Sequence, residues 1–428
     1  MKVGIYTLGC KVNTYESEYI ISELKKNGYE IYDFDDVCDI YIINTCTVTN
    51  TSDIKSKKII RRARQKNKDA CIVAMGCFIQ ANLHLKLDDI DIVIGNKDKS
   101  KIIELLDEHF AKKSQIINTY KTIDEKFEDM YIEKFESRTR AFIKIQDGCE
   151  NFCSYCIIPY VRGKCRSKPF NTVLKEVNNL VANGYKEIVL TGIHTGNYGV
   201  DIHKKFSDLL KELIKIKNLE RLRISSIEIT ELTDEVLDII KNSSTIVNHL
   251  HIPLQAGSDK VLKLMNRKYD IAYFVDKINY IKSIKKDISI TTDIIVGHPL
   301  EDEKTFYDSL ETIKKIGFSK IHVFPYSKRD GTVAATMEQV DPQLKKARTK
   351  DLLKLSRDLE EQYMKQFINT NLEVLIERTK DNYSYGHTTN YLHVKILGNY
   401  NSGDVIKVKV KEIEYPYCIG EEVCLQKV

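Results

Sequence analysis

The chain is most constrained by three cysteines in its middle, Cys149, Cys153 and Cys156, which we call the central triad. They follow directly on an apolar run at residues 141–146 that is typical of a β-strand. Thiolates are soft ligands that suit iron–sulfur clusters or zinc. Three of them leave one iron of a cubane cluster open to a small molecule. The alternative is a zinc knuckle that takes Cys165 as its fourth ligand.

The region around the central triad alternates strand and helix signals. Strands separated by helices predict a partial (β/α)6 barrel, in a domain that we place at residues 135–365. Active sites of such barrels lie at the carboxyl ends of the strands, which is where the central triad is expected. The candidate strands are residues 141–146, 187–191, 221–226, 247–252, 288–295 and 320–325.

Residues 1–115 show the same alternation, which predicts an N-terminal domain with a doubly wound parallel sheet. Cys10, Cys46 and Cys77, the N-terminal triad, each stand just after a predicted strand. Because the carboxyl ends of parallel strands line one edge of a sheet, we expect these thiols to converge on one site. Three buried structural cysteines are the alternative. The polar residues 115–135 are typical of a linker.

Residues 368–428 alternate polar and apolar side chains with glycines in the connections, which predicts a small antiparallel β-barrel. Lys407, Lys409 and Lys411 occupy alternate positions of one predicted strand. They would lie on one strand face that can follow phosphates, although a solvated face has the same pattern.

The composition is compatible with an α/β protein that binds nucleic acid, but it does not prove such a role. The chain has 428 residues, 11 cysteines and a formal net charge of +5. No apolar run approaches the roughly 18 residues of a membrane span, and no signal peptide is visible. We therefore expect a cytoplasmic protein with no membrane partner. In that setting the cysteines are better explained as metal ligands or catalytic thiols than as disulfides.

Several motifs resemble one known family, the methylthiotransferases of the radical S-adenosylmethionine (SAM) superfamily. Thr7-Leu8-Gly9-Cys10-Lys11-Val12-Asn13, Asn44-Thr45-Cys46-Thr47-Val48 and Gly76-Cys77 resemble its N-terminal domain. Residues 147–163 resemble its radical SAM loop. Gly386-His387-Thr388-Thr389-Asn390-Tyr391 resembles a TRAM domain, an OB-like RNA-binding barrel. The resemblance covers almost the whole chain.

The resemblance implies two 4Fe-4S clusters, with all six triad cysteines as catalytic metal ligands. The central triad would bind SAM through its open iron and generate a radical, and the N-terminal triad would present sulfur. SAM would serve as methyl donor and as radical source. A one-electron donor such as flavodoxin or ferredoxin is implied as a partner.

The resemblance also implies a set of SAM contacts, at or just past strand ends as the barrel geometry requires. Packing or turn chemistry is the alternative for each of them. Two positions depart from the family: His298-Pro299-Leu300 stands where it shows Phe-Pro-Gly, and Cys165 stands where it has a charged residue. The implied SAM contacts are Tyr155, Thr191, Gly192, Ser225, Ser226, Glu228, Gln255 and Gly297.

Lys11-Val12-Asn13 resembles the branch that acts on N6-threonylcarbamoyladenosine in tRNA, whereas the isopentenyladenosine branch shows Gln-Met-Asn there. The implied reaction replaces the C2 hydrogen of that base, next to the anticodon, by a methylthio group. The implied partner is the anticodon stem-loop, whose bases are splayed. Arg162 and Arg166 are candidate partners of the threonylcarbamoyl carboxylate.

Four other functions stay open at this point. The chain could methylthiolate isopentenyladenosine in tRNA or a ribosomal protein. It could be a radical SAM enzyme of unrelated output whose N-terminal triad is structural, or a non-catalytic iron–sulfur protein that binds RNA.

Overall fold

The computed structural model describes residues 1–83, 88–121, 126–135 and 139–423. The chain forms an N-terminal parallel sheet, a central partial barrel and a C-terminal closed β-barrel, which confirms the predicted fold class. Among the described helices, none is long and apolar enough to cross a membrane.

The N-terminal domain is a parallel sheet with helices packed on both faces. Its strands are β1 (Lys2–Thr7), β2 (Glu30–Tyr32), β3 (Ile40–Thr45), β4 (Cys71–Gly76), β5 (Ile92–Ile94) and β6 (Ile116–Asn118). Its helices are α1 (Lys11–Lys26), α2 (Asn50–Lys66), α3 (Cys77–Ala81) and α4 (Ile102–Lys112). The strand order is β2-β1-β3-β4-β5-β6. Strands β3 and β4 are buried throughout, as expected for a sheet covered on both sides.

The two faces of this sheet have separate cores. Ile20 of α1 and Leu106 of α4 belong to one buried cluster, and Ile60 of α2 and Phe78 of α3 belong to the other. Strands β2 and β6 were not predicted, because each is short and lies at an edge with exposed side chains.

The central domain is the partial barrel. Its strands are β7 (Arg140–Lys144), β8 (Gln146–Asp147), β9 (Arg166–Ser167), β10 (Glu187–Thr191), β11 (Arg221–Ile224), β12 (His249–His251), β13 (Ser289–Val296) and β14 (Lys320–Pro325). Its helices are α5 (Ile158–Arg162), α6 (Phe170–Ala182), α7 (Phe206–Leu213), α8 (Asp234–Asn242), α9 (Asp259–Leu264), α10 (Ile271–Ile284), α11 (Glu303–Ile316) and α12 (Pro342–Lys365). Sheets β11-β10-β7 and β12-β13-β14 meet at a parallel bridge between Leu222 and Ile246.

The C-terminal domain is a closed barrel. Its strands are β15 (Asn371–Lys380), β16 (Tyr383–Thr388), β17 (His393–Leu397), β18 (Val405–Glu414) and β19 (Tyr417–Glu422). They close in the order β15-β16-β17-β19-β18. The pairing of β17 with β19 is parallel, so the expectation of a purely antiparallel barrel is wrong at that seam. Residues 424–428 of this predicted domain lie outside the described residues.

The expectation of a linker at residues 115–135 is also wrong in part. Residues 116–118 form the edge strand β6. Met130, Ile132 and Phe135 are buried in the core of the partial barrel. Their apolar side chains stand singly among charges, so no periodic pattern marks them in the sequence.

A buried polar cluster fastens the N-terminal domain to the barrel. The Tyr15 hydroxyl of α1 lies 2.8 Å from the Glu176 carboxylate of α6 and 2.7 Å from the Met130 carbonyl. The Lys168 ammonium donates to the Tyr15 hydroxyl over 2.9 Å and to the Glu176 carboxylate. Both charged side chains are fully buried, so removing either one leaves the other unpaired in the interior.

We predict that Lys168→Met lowers the free energy of unfolding by about 3–5 kcal/mol, the range for breaking a buried ion pair. Urea denaturation followed by far-UV circular dichroism measures this. The matched control is Lys215→Ala, which removes a lysine with 66% side-chain exposure from its pair with Glu212. That variant should stay within about 0.5 kcal/mol of the wild type. Equal losses in the two variants would contradict the assignment.

Candidate active site at the mouth of the barrel

The N-terminal triad converges at the carboxyl edge of its sheet. Gly9, with φ of 101°, passes so close to Cys46 that a Cβ there would lie 2.9 Å from the Cys46 sulfur. The Cys10 and Cys46 thiols both interact electrostatically with Cys77. Burial raises the pKa of Cys46 to about 11, so this thiol keeps its proton unless a metal takes the proton's place.

The central triad sits in a loop that β8 and β9 close at its base. Gln146 pairs with Ser167 there, and the Cys149 amide donates to the Gly163 carbonyl over 3.0 Å. Gly148 has φ of 75°, and a Cβ at this position would lie 1.9 Å from the Lys164 carbonyl oxygen. Glycine alone fits this turn.

Neither triad is arranged for a single metal ion. Zinc bonds of about 2.3 Å would hold thiolates roughly 3.8 Å apart. Within the described ranges, the ligand group whose atoms all lie within 4.8 Å of one another is His251, Asp293 and His322, inside the barrel, and no such group contains a cysteine. This spacing argues against a zinc knuckle with Cys165. Three more widely spaced thiolates fit an iron–sulfur cluster.

The two triads lie close to one another where the N-terminal domain meets the barrel. Cys77 packs directly against Ile157 and Val161, which follow the central triad in the chain. Asn96 joins the two domains at the same place. Its amide nitrogen lies 3.4 Å from the Cys77 sulfur and donates to the Val161 carbonyl over 2.8 Å.

Arg162 is fully buried beside the N-terminal triad. Its guanidinium lies 3.0 Å from Asp147, 3.1 Å from Glu16 and 2.7 Å from the Asn13 side-chain oxygen. It also interacts electrostatically with Cys77 and Cys10. Although burial raises the pKa of Glu16, the cations around it, led by Lys144, hold that pKa below its usual range.

The structure gives protein partners to Arg162 and Arg166, the two residues expected to meet a substrate carboxylate. The Arg166 guanidinium donates to the Arg162 carbonyl over 2.9 Å and lies 3.5 Å from Asp147. Both arginines are directed into the fold by buried carboxylates, Asp147 for both and Glu16 for Arg162. They brace the loop of the central triad, and Arg162 places positive charge beside Cys10 and Cys77.

The residues expected to contact SAM lie around the barrel mouth. Thr191 ends β10, Ser225 follows β11, and Gly297 follows β13. Gln255, with a left-handed φ of 68°, bridges to Ile294 of β13. A left-handed backbone at a non-glycine residue costs free energy and is found most often at functional sites.

Three of the other expected contacts already have protein partners. The Glu228 carboxylate pairs with the Arg267 guanidinium. Gly192 packs on Gln146, where a Cβ would lie 3.0 Å from the side-chain oxygen. Tyr155 is partly buried within the loop of the central triad, and desolvation raises the pKa of its phenol well above the usual value. Ser226 lies beside Ser225 and is partly exposed.

Sequence reasoning missed two cations that contact the central triad. Arg267 donates to the Cys153 sulfur over 3.4 Å. Although desolvation lowers the pKa of His194, its hydrogen bonds to Cys149, Cys165 and Glu231 raise it to about 12. The imidazole lies 2.5 Å from Glu231. Both residues stand far from the triad in the chain, so no local motif marks them.

His298 shows how the chain accommodates its departure from the family. The ring is fully buried and packs edge-on against Tyr155. Burial lowers its pKa to about 4, so it is neutral at physiological pH. Its Nδ1 lies 3.0 Å from the Pro299 carbonyl and its Nε2 lies 3.2 Å from the Ser154 hydroxyl. The neutral histidine thus replaces an aromatic ring and braces the cluster loop.

Comparison with known proteins agrees with this geometry. The Radical SAM superfamily matches residues 143–313, and the Uncharacterized protein family UPF0004 matches residues 2–95. The chain is 44% identical to the threonylcarbamoyladenosine tRNA methylthiotransferase MtaB of Bacillus subtilis, over 98% of this chain and 96% of the relative. It is 38% identical to the MtaB of Thermotoga maritima, over 96% and 94%.

The chain belongs to the MtaB type of radical SAM methylthiotransferases. This confirms the family expected from the motifs. The methylthiotransferase is also 34% identical to a tRNA-2-methylthio-N(6)-dimethylallyladenosine synthase of Clostridium tetani, over 98% of this chain and 96% of the relative.

The fold of this methylthiotransferase extends to more distant radical SAM enzymes. It aligns with the methyltransferase TsrM from Kitasatospora setae with a TM-score of 0.57 at 13% identity, over 78% of this chain and 77% of that chain. At this identity the likeness shows the fold alone.

We predict that Gly148→Ala prevents assembly of the central cluster, because the new Cβ would collide with the Lys164 carbonyl oxygen. Iron content and visible absorption of the reconstituted protein should fall markedly. Gly184→Ala is the matched control, since Gly184 has φ of 91° and nothing within 4 Å of its Cβ position. That variant bears only the backbone strain, about 1 kcal/mol. Full iron loading in Gly148→Ala would contradict the loop geometry.

Proposed function

We propose that this methylthiotransferase converts N6-threonylcarbamoyladenosine, next to the anticodon of tRNA, into its 2-methylthio derivative. The observation that carries the proposal is the proximity of the two cysteine triads where the N-terminal domain meets the barrel mouth. A base inserted there would meet both triads at once. The further proposal is that each triad holds one 4Fe-4S cluster.

The adenine C2 hydrogen is neither acidic nor hydridic, so polar chemistry cannot replace it readily. Bound clusters and SAM would supply a carbon radical at the central triad and a methylated sulfur at the N-terminal triad. The chain's own residues hold these groups in place. Arg267 and His194 place positive charge beside the central thiols, and Arg162 does so beside Cys10 and Cys77. A one-electron donor such as flavodoxin or ferredoxin completes the proposal.

The choice of threonylcarbamoyladenosine rests on two observations. The relatives with this substrate in their names include one that is 44% identical, whereas a relative named for dimethylallyladenosine is 34% identical. Lys11 also stands directly after Cys10 and is exposed, so the chain offers a cation where an anionic substituent has to be accommodated.

The C-terminal barrel supplies the proposed contact with the anticodon stem-loop. Strands β16, β17 and β19 present a partly exposed face on which Tyr385 contacts Tyr417 at 5.4 Å and His387 stacks on His393 at 4.6 Å. Lys395 lies opposite Tyr385 on the same face and pairs with Glu414 over 3.0 Å. Partly exposed aromatic rings on such a face can stack on unpaired bases.

The three β18 lysines proposed as a phosphate track are less suited to that role. Lys411 pairs with Glu421 over 2.6 Å, and Lys409 stands opposite the same carboxylate in register. Lys407 stands opposite Glu373 of β15. A bulge between Val410 and Glu412 shifts Lys411 out of the alternation. The aromatic face therefore carries the proposal.

The two triads should fail differently when each loses a thiol. We predict that Cys149→Ser abolishes 5′-deoxyadenosine formation from SAM and all product. Cys46→Ser should retain 5′-deoxyadenosine formation but lose the methylthiolated nucleoside. Each variant should contain about half the iron of the wild type, if each triad holds one cluster. The assay uses anaerobically reconstituted protein and a stem-loop RNA that contains threonylcarbamoyladenosine.

Cys38→Ser is the matched control, because this buried thiol packs in the N-terminal core away from both triads. It should keep its iron and its product. Product from an isopentenyladenosine stem-loop, but none from the threonylcarbamoyl RNA, would overturn the substrate assignment. Product from Cys46→Ser at the wild-type rate would overturn the role of the N-terminal triad.

A further inference from the structure

A group of cations inside the barrel has too few acids to balance it. Lys11, Arg140, Arg221 and Arg223 form this group, which we call the lumen cations. The three arginines share one carboxylate, Glu187, at 3.8, 3.8 and 2.7 Å respectively. Arg140 also lies 3.3 Å from Glu377, but that carboxylate is shared with His387 at 2.7 Å.

The Tyr391 ring lies among these cations, and their positive charge lowers the pKa of its phenol. The Arg223 guanidinium lies 4.8 Å and the Arg140 guanidinium 5.7 Å from the centre of the Tyr391 ring. Lys11 interacts electrostatically with Tyr391, Arg140 and Arg223. Although burial raises the pKa of the Tyr391 phenol, these three cations lower it below its usual value. The region is therefore at positive potential, which an anion would relieve.

A buried donor here also lacks a partner. Arg223 is 2% exposed, and its Nη1 has no hydrogen-bond acceptor among the described residues. Its Nε donates to Glu187 over 2.7 Å. Unpaired buried donors are rare, and each one calls for an explanation such as a missing ligand.

The three arginines of this group lie below the barrel mouth on the strand face that carries its polar end residues, and Lys11 begins helix α1 of the N-terminal domain. Arg140, Glu187 and Arg221 are neighbours in register, and Val189 is level with Arg223. Thr191, at the mouth, is two residues beyond Val189 on the same strand face, about 7 Å above the level of Arg223 and about 13 Å above the level of Arg140 and Arg221. A threonylcarbamoyl group ends in a carboxylate four bonds beyond N6, roughly 7 Å from C2 when extended. A base with C2 at the mouth can thus bring its carboxylate to the level of Arg223, whose Nη1 lacks an acceptor, with the charges of Arg140 and Arg221 one layer deeper.

We propose that the lumen cations, with Lys11 as the accessible member, form a subsite for the carboxylate of the substrate's N6 substituent. This inference rests on the proposed function and deepens it, because it assigns the choice of anionic over neutral N6 groups to named residues. It replaces the role that the sequence suggested for Arg162 and Arg166. Tyr391 brings the C-terminal barrel into the same subsite.

The test compares two stem-loop RNAs, one with threonylcarbamoyladenosine and one with its methyl ester, which has the same shape without the charge. The holoenzyme should prefer the acid about tenfold or more in kcat/KM, chiefly through KM, as expected for one charge-assisted hydrogen bond. Lys11→Gln should bring the acid-to-ester ratio close to one. Lys11→Arg should keep most of the preference.

Three controls separate this subsite from its neighbourhood. Lys215→Gln, on the outer surface, should keep the wild-type ratio. The iron content of Lys11→Gln should match the wild type, which checks that the change next to Cys10 has not disturbed the N-terminal triad. An Arg140→Gln variant should lower the ratio independently of Lys11.

The outcomes distinguish the inference from the proposed function. An acid-to-ester ratio that survives Lys11→Gln, with product formed, overturns the subsite and leaves the proposed function standing. Equal weakening of acid and ester by Lys11→Gln also overturns it, and would mean that the lumen cations hold an RNA phosphate. A wild-type enzyme that leaves threonylcarbamoyl RNA unmodified overturns the proposed function, and the subsite with it.

Discussion

The arrangement of the site depends on one buried ionic network between two domains. Glu16 lies on the first helix of the N-terminal domain. Its carboxylate forms ion pairs with Lys99 of the same domain and with Lys144 and Arg162 of the barrel. The Asp147 carboxylate also forms ion pairs with Lys144 and Arg162. Breaking such a network leaves unpaired buried charge, so the two domains are held in a single relative position. That position brings the two cysteine triads close together.

The same network explains how the protein can hold anionic clusters in its interior. Four cations, including Arg166, surround two carboxylates, so the network has a surplus of positive charge next to Cys10 and Cys77. At the central triad, Arg267 and His194 place positive charge next to the thiols in the same way. Thiolates and cluster sulfides carry negative charge, and nearby cations and hydrogen-bond donors stabilise it. Each triad therefore has its charge partners built into the fold before any cofactor binds.

Local patterns were enough to predict the fold and the two triads. Strands such as β3 and β4 are apolar throughout, and each triad cysteine follows a strand end, so topology alone brings the thiols together. The charge partners were not predictable, because Glu16 and Arg162 are 146 residues apart and no periodicity joins them. For the same reason Arg162 and Arg166 were assigned to the substrate: a sequence shows a cation near a motif but not the buried acid that binds it. Strand β6 and the buried segment that contains Met130 were missed because their apolar side chains are few and isolated.

The central claim is that the two neighbouring triads methylthiolate threonylcarbamoyladenosine in tRNA. Nucleoside mass spectrometry of total tRNA, from cells with and without the gene, tests it most directly. The account predicts that the 2-methylthio form of threonylcarbamoyladenosine disappears without the gene and that its unthiolated precursor accumulates. An unchanged set of tRNA nucleosides would contradict it, as would a change confined to isopentenyladenosine derivatives.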